Sequence, residues 1–312
     1  MLPKERVTAS VPFQNTGVDM CGPFTIKTNG RSSTKQYVAL FTCLATRSVH
    51  LEPVPHMDTD SIINAIVRFT ARYPSVQTFF SDNGTNFTSA DKVLKKNIKE
   101  MEATLRDKLY LKGFNWVFNP PHAPHRGGAW ERLVGIFKRH LSHSLTGDTL
   151  RYDTFITILA EIQSVMNRRP LTQASTDPND FSPLTPSHFT NPTCLYGLEN
   201  ASVKMNETKQ KESLLTSWQR AQSRISSFWE RFRREYLTLL HSRQKWRKTD
   251  LDLSVGDLVI CVDEQVGRSE WRMARVVKVN QSDQFVRQVM VKKANGKAFL
   301  RDRTSLVKLE LD

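Results

Sequence analysis

The first fifty or so positions alternate short apolar runs with turn chemistry, the mark of β-strands rather than helices. A strand is expected over residues 16–24, ended by Gly22-Pro23. Residues 36–46, QYVALFTCLAT, are rich in β-branched and aromatic side chains and predict a buried strand. Asn29-Gly30-Arg31-Ser32-Ser33 supplies the turn before it, and residues 49–54 complete an antiparallel meander. The period then changes. Ile62, Ile63, Ile66, Val67 and Phe69 recur at helical spacing over residues 59–73, behind Asp58 and Asp60, which suit an N-terminal cap. Residues 76–80 form a short apolar strand that runs straight into Ser81-Asp82-Asn83-Gly84. A charged helix over 90–108 and a strand over 115–118 come next, then a loop over 119–128, NPPHAPHRGG, too rich in Pro and Gly to be regular.

Two amphipathic helices follow. One starts at Trp130-Glu131 and runs to about Ser144, with Leu133, Ile136, Phe137 and Leu141 on its apolar side. The other covers 152–168 and carries Phe155, Ile158, Leu159, Ile162, Val165 and Met166. Strands first, then alternating β and α units, imply an α/β fold with a mixed sheet and flanking helices. Residues 170–203 lack periodicity and predict a linker. A long helix over 214–248 sets an aromatic and aliphatic stripe, Trp218 to Leu240, against an arginine-rich side that includes Arg231 and Arg234. The stripe suits packing better than base stacking. From residue 253 the period is two, with strands expected at 257–262, 271–279, 285–292 and 298–301, the pattern of a small, SH3-like β-barrel. The expected domains are therefore 1–195, a linker and basic helix over 196–250, and the barrel over 251–312.

Charge sharpens this picture. Among 312 residues, 45 Lys and Arg outnumber 31 Asp and Glu, for a net charge of +14 and a pI near 9.8. The excess is concentrated: residues 203–312 hold 23 basic and 14 acidic side chains. Such a balance suits a polyanionic partner. Cys21, Cys43, Cys194 and Cys261 are far apart with no zinc-finger spacing, which predicts reduced structural thiols in an intracellular protein. The N-terminal residues lack a signal-peptide apolar run, and no stretch of about 18 apolar residues predicts a membrane span.

The candidate chemistry lies in three acidic residues carried by different elements. Asp19 sits within the first strand, Asp82 at the end of the fourth, and Glu131 in the first turn of a helix after a Gly-rich loop. Converging carboxylates are what Mg²⁺ requires, and two such ions ~4 Å apart can clamp the attacking and leaving oxygens of a phosphodiester. Each residue also has a plain reading. Asp-Asn-Gly is an ordinary turn, and a glutamate in a first helical turn favours the helix dipole. Together, their elements follow the order of a ribonuclease H-like sheet. Lys138, seven positions after Glu131, lies two turns along the same face and suits a DNA phosphate or simply solvent. Asn83 and Asn86 suit DNA contact or turn stabilisation. His122 and His125 have no Cys or third His nearby to complete a zinc site.

The segments GVDMCGPF (17–24), LATRSVHLEPV (44–54), SDNGTNF (81–87), FNPPHAPHRGGAWERLVGIFKRHL (118–141) and NRRPLT (167–172) resemble the integrases of retroviruses and long-terminal-repeat retrotransposons, and most of all the BEL/Pao group. SVGDLVICVDE and WRMARVV, within 254–277, resemble the small C-terminal barrel of these integrases. The two aspartates and one glutamate of that family match Asp19, Asp82 and Glu131, and the interval of 48 residues between the last two is similar to BEL/Pao. The resemblance implies Mg²⁺ or Mn²⁺, two ions held by Asp19, Asp82 and Glu131, with Asp19 shared between them. It implies 3′-end processing and strand transfer of element DNA into target DNA, double-stranded DNA as partner, a homo-oligomeric assembly and a nuclear location. Integrases of this group also carry an N-terminal zinc-binding module, which the 18 residues ahead of Asp19 are too few to form. The alternative is an integrase-derived nucleic-acid-binding protein without integration activity.

Overall fold

The computed structural model describes residues 10–27, 32–81, 114–118, 128–145, 150–174, 177–190, 216–244, 253–262, 266–267, 270–282 and 285–309. The chain divides into two compact units, residues 1–166 with 212–228, and residues 167–211 with 229–312.

The first unit is built on a mixed sheet. Its strands are β1 (Asn15–Lys27), β2 (Ser33–Cys43), β3 (Val49–Val54), β4 (Thr78–Ser81) and β5 (Asn115–Phe118), in the order β3-β2-β1-β4-β5, with β6 (Leu150–Arg151) beside the end of β1. The meander β1–β2–β3 is antiparallel, as its turn chemistry predicts, while β4 and β5 join in parallel. β1 does not stop at Gly22-Pro23. It continues to Lys27 because a register irregularity between Cys21 and Phe24 absorbs the dipeptide without ending the ladder. Gly22 has φ 120° and its α-carbon lies so close to β2 that an added Cβ would sit 3.0 Å from the Gln36 carbonyl, which explains the glycine. β2 ends at Cys43, earlier than its composition suggests. There Thr46 and Ser48 close a turn with their hydroxyls 2.9 Å apart, and Arg47 takes φ 60°.

Helix α1 (Thr59–Arg72) is capped by Asp58, whose Oδ1 accepts from the Ser61 amide at 2.8 Å. It lays Ile62, Ala65, Ile66 and Phe69 on one sheet face, against Val18, Ala39, Phe41, Val54 and Phe79. Each of the Val, Ile and Phe side chains among these contributes roughly 1.5–3 kcal/mol on full burial. Val67, grouped with this stripe by periodicity, instead faces outward at 44% exposure.

Strand alternation sends Val38, Leu40 and Leu51 to the other face. Helices α2 (Gly128–Leu145) and α3 (Tyr152–Asn167) belong to this unit, and the Phe24 ring on β1 lies 6.0 Å from Phe155 on α3. Gln163 of α3 accepts the Leu51 amide at 2.9 Å, satisfying a donor on the edge strand β3. The helix expected over 90–108 and the loop 119–127 lie outside the described residues.

In the second unit the stretch expected to be an unstructured linker is partly regular. β7 (Thr172–Gln173) pairs with β8 (Pro183–Leu184), and a short helix, α4, covers Pro186–Thr190. Elements this short have no period for a sequence to display. The long helix α5 (Thr216–Gln244) contributes to both units. In the first, its Arg224 donates to the Ser144 carbonyl at 2.6 Å and its Gln222 to Glu161 at 2.8 Å. In the second, Trp229 and Tyr236 meet Trp271 edge-on at 5.0 and 5.7 Å, and the Tyr236 hydroxyl donates to the Pro170 carbonyl. The stripe is packing, as expected: Ala221, Ile225, Phe228, Trp229, Phe232 and Tyr236 are all buried.

β9 (Leu258–Cys261), β10 (Met273–Ser282), β11 (Phe285–Lys292), β12 (Ala298–Asp302) and β13 (Leu306–Lys308) form an antiparallel sheet in the order β12-β11-β10-β9-β13. β13, only 3 residues after a 3₁₀ turn, has no counterpart in the periodicity reading. Leu253, Val259, Cys261, Ala274, Val276, Val289, Val291 and Leu306 make its core. The Arg275 guanidinium donates to the carbonyls of Asp177, Asp180 and Gly256, tying the 177–180 turn to this sheet.

Candidate active site

β1 fixes the first carboxylate. Val18 and Met20 pack on the α1 side of the sheet, so Asp19, between them, faces the opposite side. Its Oδ1 accepts the amide of Met20 at 2.8 Å, which holds the carboxylate against its own strand and leaves Oδ2 to an outside partner. That partner is Lys138 of α2, with Nζ 2.5 Å from Oδ2. The side chains are 24% and 30% exposed, so the pair is reachable from solvent yet not fully immersed in it. α2 can deliver this ammonium because Lys138 lies on the same stripe of the helix as Val134, Leu141 and Leu145, all of them buried.

Two residues along, on the same sheet face, Cys21 is buried, and its Sγ lies 3.6 Å from the Val38 carbonyl. Burial pushes the thiol up to about 12; the neighbouring Lys138 pulls against this and the Asp19 charge adds to it. It is neutral at physiological pH and is no nucleophile. Cys43 and Cys261 are also buried and, among the described residues, in no disulfide, as expected of structural cysteines.

On the neighbouring strand, buried Ser81 ends β4 directly opposite Val18. Asp82, Asn83 and Asn86 lie outside the described residues, as do His122 and His125. Glu131 lies in the first turn of α2, which begins at Gly128, slightly ahead of the expected start; its side chain is not among those described. Among the described residues no group of three or more His, Cys, Asp or Glu side chains is arranged to hold a metal. What sequence reasoning missed is the Lys138–Asp19 pair. Strand alternation gives the face of Asp19, but nothing in the sequence tells which helix covers that face.

On α5, Arg231 and Arg234 are exposed while Phe232 and Tyr236 between and beyond them are buried. A second cluster sits on the α1 side: buried Glu52 accepts from His50 Nε2 at 2.9 Å and from Arg68 Nε at 2.9 Å. Burial opposes ionisation of Glu52, but these hydrogen bonds and charges prevail and hold its carboxyl below the usual glutamate value. No helix among the described residues is long and apolar enough to cross a membrane.

A family model described as a family of unknown function, DUF5641, matches residues 216–309. No curated protein matches the chain. Among solved structures, the chain is similar over 99% of its length to 84% of a chain in the simian T-cell lymphotropic virus intasome bound to PP2A regulatory subunit B56 gamma, at 11% identity and TM-score 0.40. Over 59% of its length it is similar to 97% of the catalytic core domain of BIV integrase, at 16% identity and TM-score 0.37.

Proposed function

We propose that this chain is a metal-dependent polynucleotidyl transferase of the retroelement integrase type, with a ribonuclease H-like core, an SH3-like C-terminal barrel and a BEL/Pao-like acidic triad. One observation carries it: Asp19 stands on the central strand of a mixed sheet, on the side where α2 brings a cation to its free carboxylate oxygen. The β1–β4 register adds support. Val18 opposes Ser81, and Asp82 is the next residue in the chain, about 3.8 Å of backbone further on. Glu131 adds the third carboxylate, two helical turns before Lys138 on α2.

The donor chemistry fits Mg²⁺ or Mn²⁺. Asp19 presents a hard oxygen to a positive charge in a half-exposed position, and the Lys138 ammonium stands where such an ion would bind. Asp19, Asp82 and Glu131 would hold two ions, which supply Lewis-acid stabilisation of the charge that develops on a phosphodiester. The chain's own groups do the rest. The Met20 amide fixes the orientation of Asp19, Lys138 offers a positive charge to the phosphate beside the site, and Asn83 and Asn86 contact the DNA near the second aspartate. Arg231 and Arg234 bind DNA phosphates. The reactions are in-line displacements at phosphorus, first by water near a DNA end and then by the freed 3′ hydroxyl on target DNA. A homo-oligomer acting on DNA in the nucleus completes the proposal.

A second function is also compatible with the ion pair. With Asp19 already neutralised by Lys138, the chain would serve as an integrase-derived nucleic-acid-binding protein that needs no metal. A strand-transfer assay with Mg²⁺ or Mn²⁺ on the wild type and Glu131→Gln separates the two. Metal-dependent joining or nicking that is lost in the variant is expected; absence of both in the wild type leaves only the binding function.

A further inference from the structure

We infer that Lys138 is a built-in counter-ion that competes with divalent metal for Asp19, so that loading the site releases its ammonium toward the nucleic acid. This rests on the proposal that Asp19 is a metal ligand. Oδ1 of Asp19 is committed to the Met20 amide and Oδ2 to Lys138 at 2.5 Å, so the carboxylate has no oxygen free of a donor. A divalent ion on Oδ2 would meet the ammonium within a few ångströms, and like charges so close repel strongly in a half-buried setting. One of the two cations must leave. Lysine is suited to do so, because its charge rides on a flexible four-carbon stem. Nearly a third of the Lys138 side chain is exposed, which leaves a way out.

Cys21, the next residue of β1 on that face, is buried and offers the displaced ammonium no carboxylate. A polyanion at the site is the natural acceptor. Metal loading and nucleic-acid binding are then coupled through one side chain, and the coupling acts in both directions. Without metal, Lys138 shields Asp19 and is itself withheld from phosphate. With metal, Asp19 is neutralised by the stronger cation and Lys138 becomes a phosphate contact.

Calorimetric titration of the full chain with Mn²⁺, without DNA, tests this in wild type, Lys138→Met, Lys138→Arg and Asp19→Asn, with circular dichroism as the check on folding. Lys138→Met removes the competitor and should bind Mn²⁺ about 5- to 50-fold more tightly than wild type, a range typical of coupling between sites. Lys138→Arg keeps the charge and should stay near wild type, and Asp19→Asn should lose the binding. Equal affinity in wild type and Lys138→Met, with binding still lost in Asp19→Asn, overturns the competition while leaving the metal site standing. Absence of Asp19-dependent binding in both wild type and Lys138→Met overturns the metal site and the competition together. A second measurement is the salt dependence of duplex binding. Metal should steepen the log–log slope by about 0.9 more in wild type than in Lys138→Met, the equivalent of one added phosphate contact. An identical change in both proteins would count against release of the ammonium to DNA.

Discussion

Ser81, the last residue of β4 and the one before Asp82 in the chain, lies directly opposite Val18 of β1 in a parallel pairing. The strand that presents Asp19 and the strand that leads into Asp82 are thus neighbours, whatever the chain does beyond them. If these carboxylates share a metal site, Asp19→Asn and Asp82→Asn should each lower Mg²⁺-dependent joining by more than about 100-fold, the upper end of what losing a hydrogen-bond partner of a metal ligand costs. Folding should hardly change, since a partly exposed ion pair such as Asp19–Lys138 contributes about 1 kcal/mol or less. Joining assays paired with thermal melts decide it. A variant that melts normally and still joins DNA at the wild-type rate would remove that residue from the mechanism.

Glu52 gives a different kind of test, because its ionisation supports the fold rather than the chemistry. Its carboxylate can only accept, so the His50 nitrogen facing it, Nε2, carries the proton, and His50 Nδ1 is buried with no hydrogen-bond partner. Glu52→Gln weakens the bonds to His50 and Arg68 and should destabilise the first unit by about 1.5–3 kcal/mol at neutral pH, as for hydrogen bonds to a charged group. The pH dependence follows from the lowered carboxyl value. A folded-state pKa below the unfolded one gives stability that is present above the unfolded value and is lost as pH falls through the folded one. The gap between wild type and variant should therefore be widest near neutrality, begin to narrow below about pH 4, where an ordinary glutamate is protonated, and vanish as pH falls through the lower folded value. Denaturant titrations at several pH values that show a constant gap would refute this role.

How much of this was legible in the sequence depends on how each element signals itself. β3 and β5 fall where their composition puts them, and the stripe of α5 is buried as its period demands, because burial against a core writes a repeating pattern. β7, β8 and β13 are two or three residues long, and the partners that hold them are distant in sequence: Leu306 pairs with Cys261. β1 runs through Gly22-Pro23 because a bulge can absorb what composition reads as a stop. At the site, the face of Asp19 follows from alternation along β1. Its pairing with Lys138 does not, since 119 positions separate them and only the packing of α2 brings them together.

Thiol chemistry offers a check on the buried face behind Asp19. Cys21 is buried with its thiol held near 12, and Cys43 is buried with its sulfur accepting the amides of Phe13 at 3.1 Å and Thr46 at 3.3 Å. An alkylating reagent must reach the sulfur and meet it as thiolate, so Cys21, buried and raised, and Cys43 and Cys261, both buried, should not alkylate in the folded chain at neutral pH. Peptide-level mass spectrometry after brief iodoacetamide treatment should find these three unmodified under native conditions and labelled in denaturant. Native labelling of Cys21 as fast as in denaturant would mean that the sheet face under Asp19 is open to solvent.

Arg231 and Arg234 test the DNA path along α5. They stand three positions apart and exposed, while Phe228, Phe232 and Tyr236 of the same helix are buried, so the two guanidiniums share a solvent-facing side one turn long. If each neutralises one phosphate, Arg231→Ala and Arg234→Ala should each reduce the slope of log affinity against log salt by about 0.9. The loss should be similar for unrelated duplex sequences, because phosphate contacts carry no base information. Fluorescence anisotropy from low to physiological salt measures both quantities. An unchanged slope in the double variant would take α5 out of the DNA interface, and a loss confined to one duplex sequence would point instead to base contact by these arginines.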